Sequence, residues 1–108
     1  MREVDRDSFQ GEVLESDGYV VVDFFGDGCV PCAALLPAIE ALAEKYQDRA
    51  SFVKLNTSKA RRLSISQKVL GLPTVAIYKN GEKLEEVTKE AATKESIEAM
   101  ILSNVAGT

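Results

Sequence analysis

Residues 19–32 read Tyr-Val-Val-Val-Asp-Phe-Phe-Gly-Asp-Gly-Cys-Val-Pro-Cys, and this stretch decides the fold. Its first part is β-branched or aromatic apart from one Asp, which is typical of a strand buried on both faces of a parallel sheet. The Gly-Asp-Gly that follows predicts a loop, and a long helix then runs from Cys29 or Val30 to about Gln47. A buried strand that passes through a short loop into a helix indicates an α/β fold.

The flanking sequence supplies the other elements of a single domain over residues 1–108, a length typical of one domain. The predicted elements are an amphipathic helix around Phe9 and Val13, a strand over 51–55, a helix from Thr57 or Ser58 to near Gly71, strands over 74–79 and 83–88 joined by Asn80-Gly81, and a last helix from about Thr93. This order predicts mostly parallel strands covered by helices on both faces, with an antiparallel hairpin at the end. The fold class is therefore α/β with a mixed sheet.

The composition excludes several classes of protein. The chain has no His, which excludes catalytic triads, Cys–His nucleophiles and His-ligated metals, and its two Cys cannot close a structural zinc site. Its 13 Lys and Arg against 17 Asp and Glu do not suggest a nucleic-acid-binding surface. No apolar run approaches the ~20 residues of a membrane span, and the first residues lack the apolar core of a secretory signal. We expect a monomer in the cytoplasm, where a lasting structural disulfide is rare, with no bound metal, nucleic acid or membrane.

The two cysteines, Cys29 and Cys32, lie at the start of the long helix, three residues apart and so on one face of it. The helix N-terminus favours a thiolate, so the pKa of Cys29 should be lowered and Cys29 should attack a disulfide, after which Cys32 resolves the mixed disulfide. Pro31 suits the first turn of the helix, because an N–H group at that position would have no hydrogen-bond acceptor within the helix. Two alternatives are a pair of core cysteines and half of a metal site completed by a second chain. Dithiol–disulfide exchange is the interpretation that the strand, loop and helix context favours.

Asp23 is a charge inside the apolar strand, where burial is costly without a reason. It precedes Cys29 by six residues and should lie beneath the helix start, where a buried carboxylate of raised pKa can accept the proton of Cys32. Lys54, inside the strand over 51–55, is its charge partner if the two strands are neighbours. The alternatives are an Asp23 that turns to solvent at a sheet edge and a solvated Lys54.

Three further features carry less chemistry. Pro37 lies inside the long helix, where we expect it to kink the helix and to pack. Pro73 precedes a strand, and because only ~5–6% of X–Pro bonds in folded proteins are cis, residue statistics favour a trans bond. The Arg61-Arg62 pair is interpreted as a solvated helix face without a chemical role.

Several motifs together resemble the thioredoxin family in order and spacing: Asp23-Phe24-Phe25, Cys29-Val30-Pro31-Cys32, Pro37, Lys54-Leu55-Asn56, Gly71-Leu72-Pro73-Thr74 and Lys79-Asn80-Gly81-Glu82. The resemblance covers residues 8–105 and implies a thioredoxin fold, with four helices around a central sheet of five strands. That is one strand more than the residue pattern predicts, and we expect it near residues 2–6. It also implies that Cys29 is the attacking thiol, Cys32 the resolving thiol and Asp23 the buried acid.

The same resemblance implies that Pro73 is cis and faces the disulfide, against the statistical expectation. By this carry-over, the residues that contact substrate are expected to be Gly28, Val30, Pro31, Leu72 and Pro73. Lys54 and Pro37 are expected to support the site.

The sequence departs from the usual Trp-Cys-Gly-Pro-Cys of thioredoxins. Gly28 replaces the Trp, Val30 replaces the Gly, and the glycine usually found before the last helix is absent from residues 87–92. The Gly-Cys-Val-Pro-Cys stretch resembles thioredoxins of amino-acid-fermenting anaerobes, which serve glycine, sarcosine and betaine reductases.

The resemblance implies a protein-disulfide reductase and electron carrier that uses a reversible Cys29–Cys32 dithiol/disulfide and no bound cofactor. Expected partners are a thioredoxin reductase and target protein disulfides, among them components of glycine, sarcosine or betaine reductase, or peroxiredoxins. One alternative is a glutaredoxin-like protein, although glutaredoxins usually start at the first buried strand. Another is a thioredoxin-fold binding protein that bridges an iron–sulfur cluster between two chains.

Overall fold

A five-stranded mixed sheet forms the centre of the computed structural model, which describes residues 1–105. The strands are β1 Arg2–Val4, β2 Tyr19–Phe25, β3 Ala50–Asn56, β4 Thr74–Lys79 and β5 Glu82–Thr88, in the spatial order β1-β3-β2-β4-β5. The helical elements are a π-helical segment Gln10–Leu14, α1 Val30–Lys45, α2 Arg61–Ser66 and α3 Lys94–Val105, with short 3₁₀ turns at Thr57–Lys59 and Lys89–Ala91. The predicted fold class is confirmed, and β1 lies where the resemblance placed an additional strand.

The central strand β2 is buried on both faces, as its apolar sequence predicts. Val21 packs on one face of the sheet in a cluster with residues of α1 and α3. Val20 and Phe24 pack on the other face, where Phe9 contacts the Phe24 ring at a centroid distance of 6.3 Å. Because side chains alternate along a strand, Asp23 belongs to the face of Val21, beneath α1. The fold thus directs this carboxylate toward the helix that begins at the cysteines.

The direction of β4 differs from the mostly parallel sheet that the residue pattern predicts. β1, β3 and β2 run parallel, whereas β4 is antiparallel to β2, with Phe24 opposite Thr74. The helix between β3 and β4 explains the difference. Residues in α2 advance only ~1.5 Å each, whereas those of a strand advance ~3.3 Å, so the six-residue α2 is too short to carry the chain back along β3. β4 therefore starts at the end of the sheet where β3 stops.

α2 ends five residues before Gly71, where the sequence predicted its end. Lys68 has a φ of 60°, the Lys68 N–H donates to the Ile65 carbonyl, and the Val69 N–H donates to the Ser64 carbonyl. These two hydrogen bonds form a Schellman motif, which terminates a helix at a residue in the left-handed conformation. The prediction was wrong because this position usually holds Gly, and Lys gives no such signal.

Pro37 lies inside α1 as predicted, but its side chain is exposed. The expected packing role is therefore wrong, since the buried side chains of this helix, such as Ile39 and Leu42, lie on its other side. No helix within residues 1–105 has the length and apolar character needed to cross a membrane.

Candidate active site

A disulfide between Cys29 and Cys32 marks the start of α1. The two Cα atoms are 5.3 Å apart, and Cys29 is the N-cap residue, whose Sγ accepts a hydrogen bond of 3.2 Å from the Cys32 N–H. Cys29 is half-buried, whereas Cys32 is only 5% exposed. The sequence thus places both sulfur atoms at the positive end of a helix, and only one of them is readily accessible to a large partner.

Side chains from the last residue of β3 and the 3₁₀ turn after it hold the loop before the cysteines. The Asn56 Nδ2 donates to Asp27 Oδ1 at 3.0 Å, the Asp27 N–H donates to Ser58 Oγ at 3.0 Å, and the Thr57 hydroxyl donates to the Phe25 carbonyl at 2.8 Å. These hydrogen bonds to the loop were not predicted from the sequence. The proximity of the residues could have been predicted, because Asp27 lies just after β2 and Asn56 is the last residue of β3. The carboxyl ends of these neighbouring parallel strands meet at one edge of the sheet.

Asp23 is buried beneath the disulfide and is 3% exposed. It lies on the wall of a cavity of about 440 Å³ that Cys29 and Cys32 also line. Burial raises the pKa of this carboxyl from 3.8 to about 6, and the positive charge of Lys54 opposes the rise. Within residues 1–105 the carboxylate has neither a hydrogen bond nor an ion pair at contact distance.

Lys54 occupies the position on β3 directly opposite Asp23 on β2. Its Nζ lies 5.9 Å from the ring centroid of Phe25, and its side chain is partly exposed. The two strands are neighbours, as the suggested charge pairing required, and Asp23 lies in a central strand and does not turn to solvent at an edge. The roles of Asp23 and Lys54 in the reaction stay predictions.

The Leu72–Pro73 peptide bond is cis, as the resemblance implies, and the statistical expectation of a trans bond was wrong. Pro73 is buried, and together with Leu72 and Pro31 it lines a groove of about 320 Å³ whose remaining wall is formed by Lys89 and Glu90. Because Pro31 lies between the two cysteines, this groove borders the disulfide.

Lys89 lies where the sequence lacks the usual glycine. Its φ is 56°, its N–H donates to the Pro73 carbonyl at 2.8 Å, and its side chain lies over Gly71, where an added Cβ would clash with Lys89 Cε. The left-handed backbone that favours glycine is therefore retained here by a lysine.

No group of three or more His, Cys, Asp or Glu side chains within residues 1–105 is arranged to hold a metal ion. The groups at the site that can react or transfer a proton are the two cysteines and the carboxyl of Asp23, which line the same cavity.

A reversible Cys pair at a helix start, above a buried carboxylate on a mixed five-stranded sheet, defines a thiol–disulfide oxidoreductase. The thioredoxin family model matches residues 1–103, and the chain belongs to that family. It is 62% identical over 103 residues to thioredoxin of Peptoclostridium acidaminophilum, covering 95% of this chain and 94% of that protein. It is 54% identical over 101 residues to thioredoxin of Acetoanaerobium sticklandii, covering 94% and 96%. A more distant relative, thioredoxin of Porphyra purpurea, is 33% identical and covers 87% of each chain.

These similarities confirm the predicted class of function. The chain is a protein-disulfide reductase of the thioredoxin type, with a redox-active Cys29–Cys32 pair and no need of a cofactor. Neither a glutaredoxin-like nor a cluster-bridging function is favoured. A reductase and disulfide-bearing target proteins are its partners in general terms. The predicted resemblance to a thioredoxin of an amino-acid-fermenting anaerobe is also confirmed.

Proposed function

We propose that Cys29 is the nucleophile, Cys32 the resolving thiol and Asp23 the proton acceptor in a two-step reduction of target disulfides. The observation that carries this assignment is the difference in exposure. Cys29 is half-buried at the rim, whereas Cys32, at 5% exposure, shares a cavity wall with the buried Asp23. A bulky target disulfide reaches only the outer sulfur, and proton transfer involves the inner one.

In the first step the Cys29 thiolate attacks one sulfur of the target disulfide, so a Cys29–target bond forms and the other target sulfur leaves as a thiolate. In the second step Cys32 loses its proton toward Asp23 and attacks Cys29. The Cys29–Cys32 bond forms and the target leaves as its second thiolate. Two electrons pass to the target, and the two thiolates are protonated by Asp23 and by water.

The electrostatics of Asp23 support its role as the proton acceptor. Burial raises its pKa to about 6, which lies closer to that of a thiol than the ordinary carboxyl value does. Lys54 limits this rise and thereby keeps the carboxyl able to ionise near neutral pH. Lys54 is therefore a positioning residue in this proposal, acting through Asp23.

The groove beside the disulfide supports a binding role for Gly28, Val30, Pro31, Leu72 and Pro73. Val30 is 76% exposed beside Cys29, and Pro31, Leu72 and Pro73 line the groove itself. An extended segment of a target lying here has its sulfur next to Cys29.

We further propose a cytoplasmic, single-domain monomer that receives electrons from a thioredoxin reductase. Similarity to thioredoxins of Peptoclostridium acidaminophilum and Acetoanaerobium sticklandii supports components of glycine, sarcosine or betaine reductase as targets, with peroxiredoxins as the second candidate. A coupled assay with NADPH, candidate reductases and each purified target distinguishes these partners.

Trapping tests the roles of the two cysteines. Reduced Cys32→Ser protein mixed with oxidised insulin should accumulate a covalent adduct, whereas reduced Cys29→Ser protein, which retains only the inner thiol, should not. Intact-mass spectrometry of non-reduced samples measures both. Adducts on Cys32 in the Cys29→Ser variant at a comparable rate would assign the nucleophile to the inner position.

A further inference from the structure

Four cations surround a surface cleft beside the redox site, although the chain as a whole is acidic. Arg6, Lys59, Arg61 and Arg62 line a cleft of about 350 Å³, here called the basic cleft, and every charged residue of its wall is cationic. The full chain carries 13 Lys and Arg against 17 Asp and Glu. The positive charge is therefore concentrated locally and is not a property of the whole surface.

These four cations form no ion pair within the described residues. Arg6 contributes to a lowered pKa of Asp5, but hydrogen bonds from Ser8 and Asp7 are the larger causes of that shift. The positive potential of the cleft is thus available to an outside partner.

An apolar groove joins the basic cleft to the disulfide. This groove, of about 330 Å³, shares Ser58 and Arg61 with the basic cleft and shares Leu72 with the groove beside Pro73 and Pro31. Leu70 and Ile65 line it and are 86% and 69% exposed, so two large apolar side chains face solvent between the redox site and the cations. Exposed apolar side chains rimmed by polar ones mark protein interaction sites.

We propose that this continuous surface binds the segment of a target protein that flanks its reducible cysteine, and that it selects segments with an apolar side chain followed by acidic ones. The apolar side chain packs on Leu70 and Ile65, and the acidic side chains lie in the basic cleft. The inference rests on the proposed function, since it uses the groove at Pro73 as the place where the target sulfur enters.

The geometry sets the spacing of such a segment. α2 runs along this surface, since Arg61 and Arg62 at its start line the basic cleft and Ile65 in its last turn lines the apolar groove. The helix has six residues and is roughly 9 Å long. An extended segment rises roughly 3.3 Å per residue, so about three residues cover that length. The acidic residues of the target are therefore expected at least about three positions from its cysteine.

The test uses three synthetic peptides with one cysteine held in a disulfide with a fluorescent thiol. They carry the same Leu but differ in a tail of three Glu, three Gln or three Lys. The protein is reduced chemically and freed of reductant, so no thioredoxin reductase enters the assay. Stopped-flow fluorescence gives the second-order rate constant for each peptide. At low salt the Glu peptide should react roughly tenfold faster than the Lys peptide, and the ratio should shrink as the salt concentration rises.

Charge reversal locates the effect. Arg61→Glu combined with Arg62→Glu should abolish the preference for the Glu tail, measured as the ratio of the Glu and Gln peptide rates with the same variant. Arg49→Glu is the control, because Arg49 is also exposed but lies before β3, at the opposite end of that strand from the redox site. It should retain the preference. For the apolar part, Leu70→Ser should slow all three peptides, whereas Leu84→Ser on β5 should not.

The outcomes separate the inference from the proposed function. Equal rates for the three tails, or a preference that Arg61→Glu/Arg62→Glu leaves intact, overturns the inference while the proposed function stands. Failure to reduce even the Gln peptide counts against the proposed function itself. Equal peptide rates together with inhibition by a short oligonucleotide assign the basic cleft to nucleic acid and also overturn the inference.

Discussion

Asp23 on β2 lies directly opposite Lys54 on the neighbouring parallel strand β3, and the charge of Lys54 opposes the effect of burial on the Asp23 carboxyl. Burial of Asp23 favours its neutral form, whereas the positive charge of Lys54 favours the ionised form. Burial dominates, because the pKa of Asp23 is raised to about 6. Burial and Lys54 together therefore place the titration of Asp23, which lies beneath the disulfide, close to neutral pH.

The first prediction is a pH-dependent gain in stability on Asp23→Asn. Between pH 3.8 and about 6 the folded protein binds the Asp23 proton and the unfolded chain does not, so stability falls as the pH rises through this range. The difference between these pKa values corresponds to about 3 kcal/mol. Since a buried amide also needs partners, we expect the oxidised variant to be about 1–3 kcal/mol more stable than wild type at pH 8, and not at pH 3.5. Denaturant unfolding at both values measures this.

Asp17→Asn is the control for that prediction, because Asp17 is exposed and its substitution should change stability by less than about 0.5 kcal/mol at either pH. The same gain at pH 8 and pH 3.5 would contradict the prediction, since a shift in packing or hydrogen bonding alone has no reason to follow the titration of Asp23.

Much of this site could be predicted from the sequence because its signals are local. The single Asp in an apolar strand and the two cysteines at a helix start can each be recognised because they differ from the residues around them. The Asp23–Lys54 pairing could be stated only as a condition, since register depends on which strands are neighbours. The direction of β4 was misjudged because it depends on how far the short α2 carries the chain, and a periodic pattern does not state that distance.

The hydrogen bonds of Asn56 were missed for a different reason. Asn56 is buried, donates to Asp27 and accepts from the Ser58 N–H at 3.0 Å. A polar residue at a strand end is common in loops and caps, so the residue type alone does not distinguish a capping role from one that holds an active-site loop. Only the meeting of two strand ends makes the distinction.

The second prediction follows from that arrangement. Asn56→Ala removes both side-chain hydrogen bonds and leaves the Asp27 carboxylate with one partner fewer, so we expect a loss of about 1–3 kcal/mol in unfolding free energy and slower insulin reduction. Asn56→Asp should be no better at neutral pH, because it sets two carboxylates at hydrogen-bond distance, and should recover as the pH falls. Ser66→Ala, which removes a local hydrogen bond at an exposed position of α2, is the control. If Asn56→Ala changes neither the unfolding free energy nor the rate of insulin reduction, the loop that contains Asp27 does not need the Asn56 hydrogen bonds.

The third prediction concerns Lys89, whose backbone has a φ of 56°. The left-handed conformation costs a non-glycine residue about 1–2 kcal/mol. A glycine avoids that cost but loses about 0.5–1 kcal/mol more in conformational entropy when the chain folds. Lys89→Gly should therefore stabilise the protein by about 0.5–1 kcal/mol, or raise Tm by about 4 °C. Glu90→Gly, at the next residue, is the control and should lower Tm. A fall in Tm for Lys89→Gly would mean that the lysine stem packed over Gly71 contributes more than the strain costs.

The fourth prediction concerns Gly28, where thioredoxins usually have Trp. Its φ is 71°, and within residues 1–105 no atom beyond the adjacent residues lies within 4 Å of an added Cβ, so a side chain here is strained by the backbone and not by crowding. Gly28→Ala should cost about 1 kcal/mol, and Gly28→Asn less, because Asn tolerates this conformation better. Thermal unfolding of the oxidised proteins measures both. Equal stability of Gly28→Ala and wild type would show that the loop readjusts its backbone at no cost.

The last prediction separates chemistry from partner choice at the other departure, Val30. This side chain is 76% exposed beside Cys29, so Val30→Gly removes contact area from the redox surface without opening the core. The helix start and Asp23 are unchanged, and the rate of exchange with a small disulfide should therefore stay within about twofold of wild type. The kcat/KM with a reductase from an amino-acid-fermenting anaerobe should fall several-fold, while that with a reductase whose own thioredoxin carries Trp-Cys-Gly-Pro-Cys should rise. Adding Gly28→Trp should increase the second effect, with Gly28→Ala as the control for backbone strain. If Val30→Gly changes both kcat/KM values by the same factor, Val30 affects the reaction in general and does not select the partner.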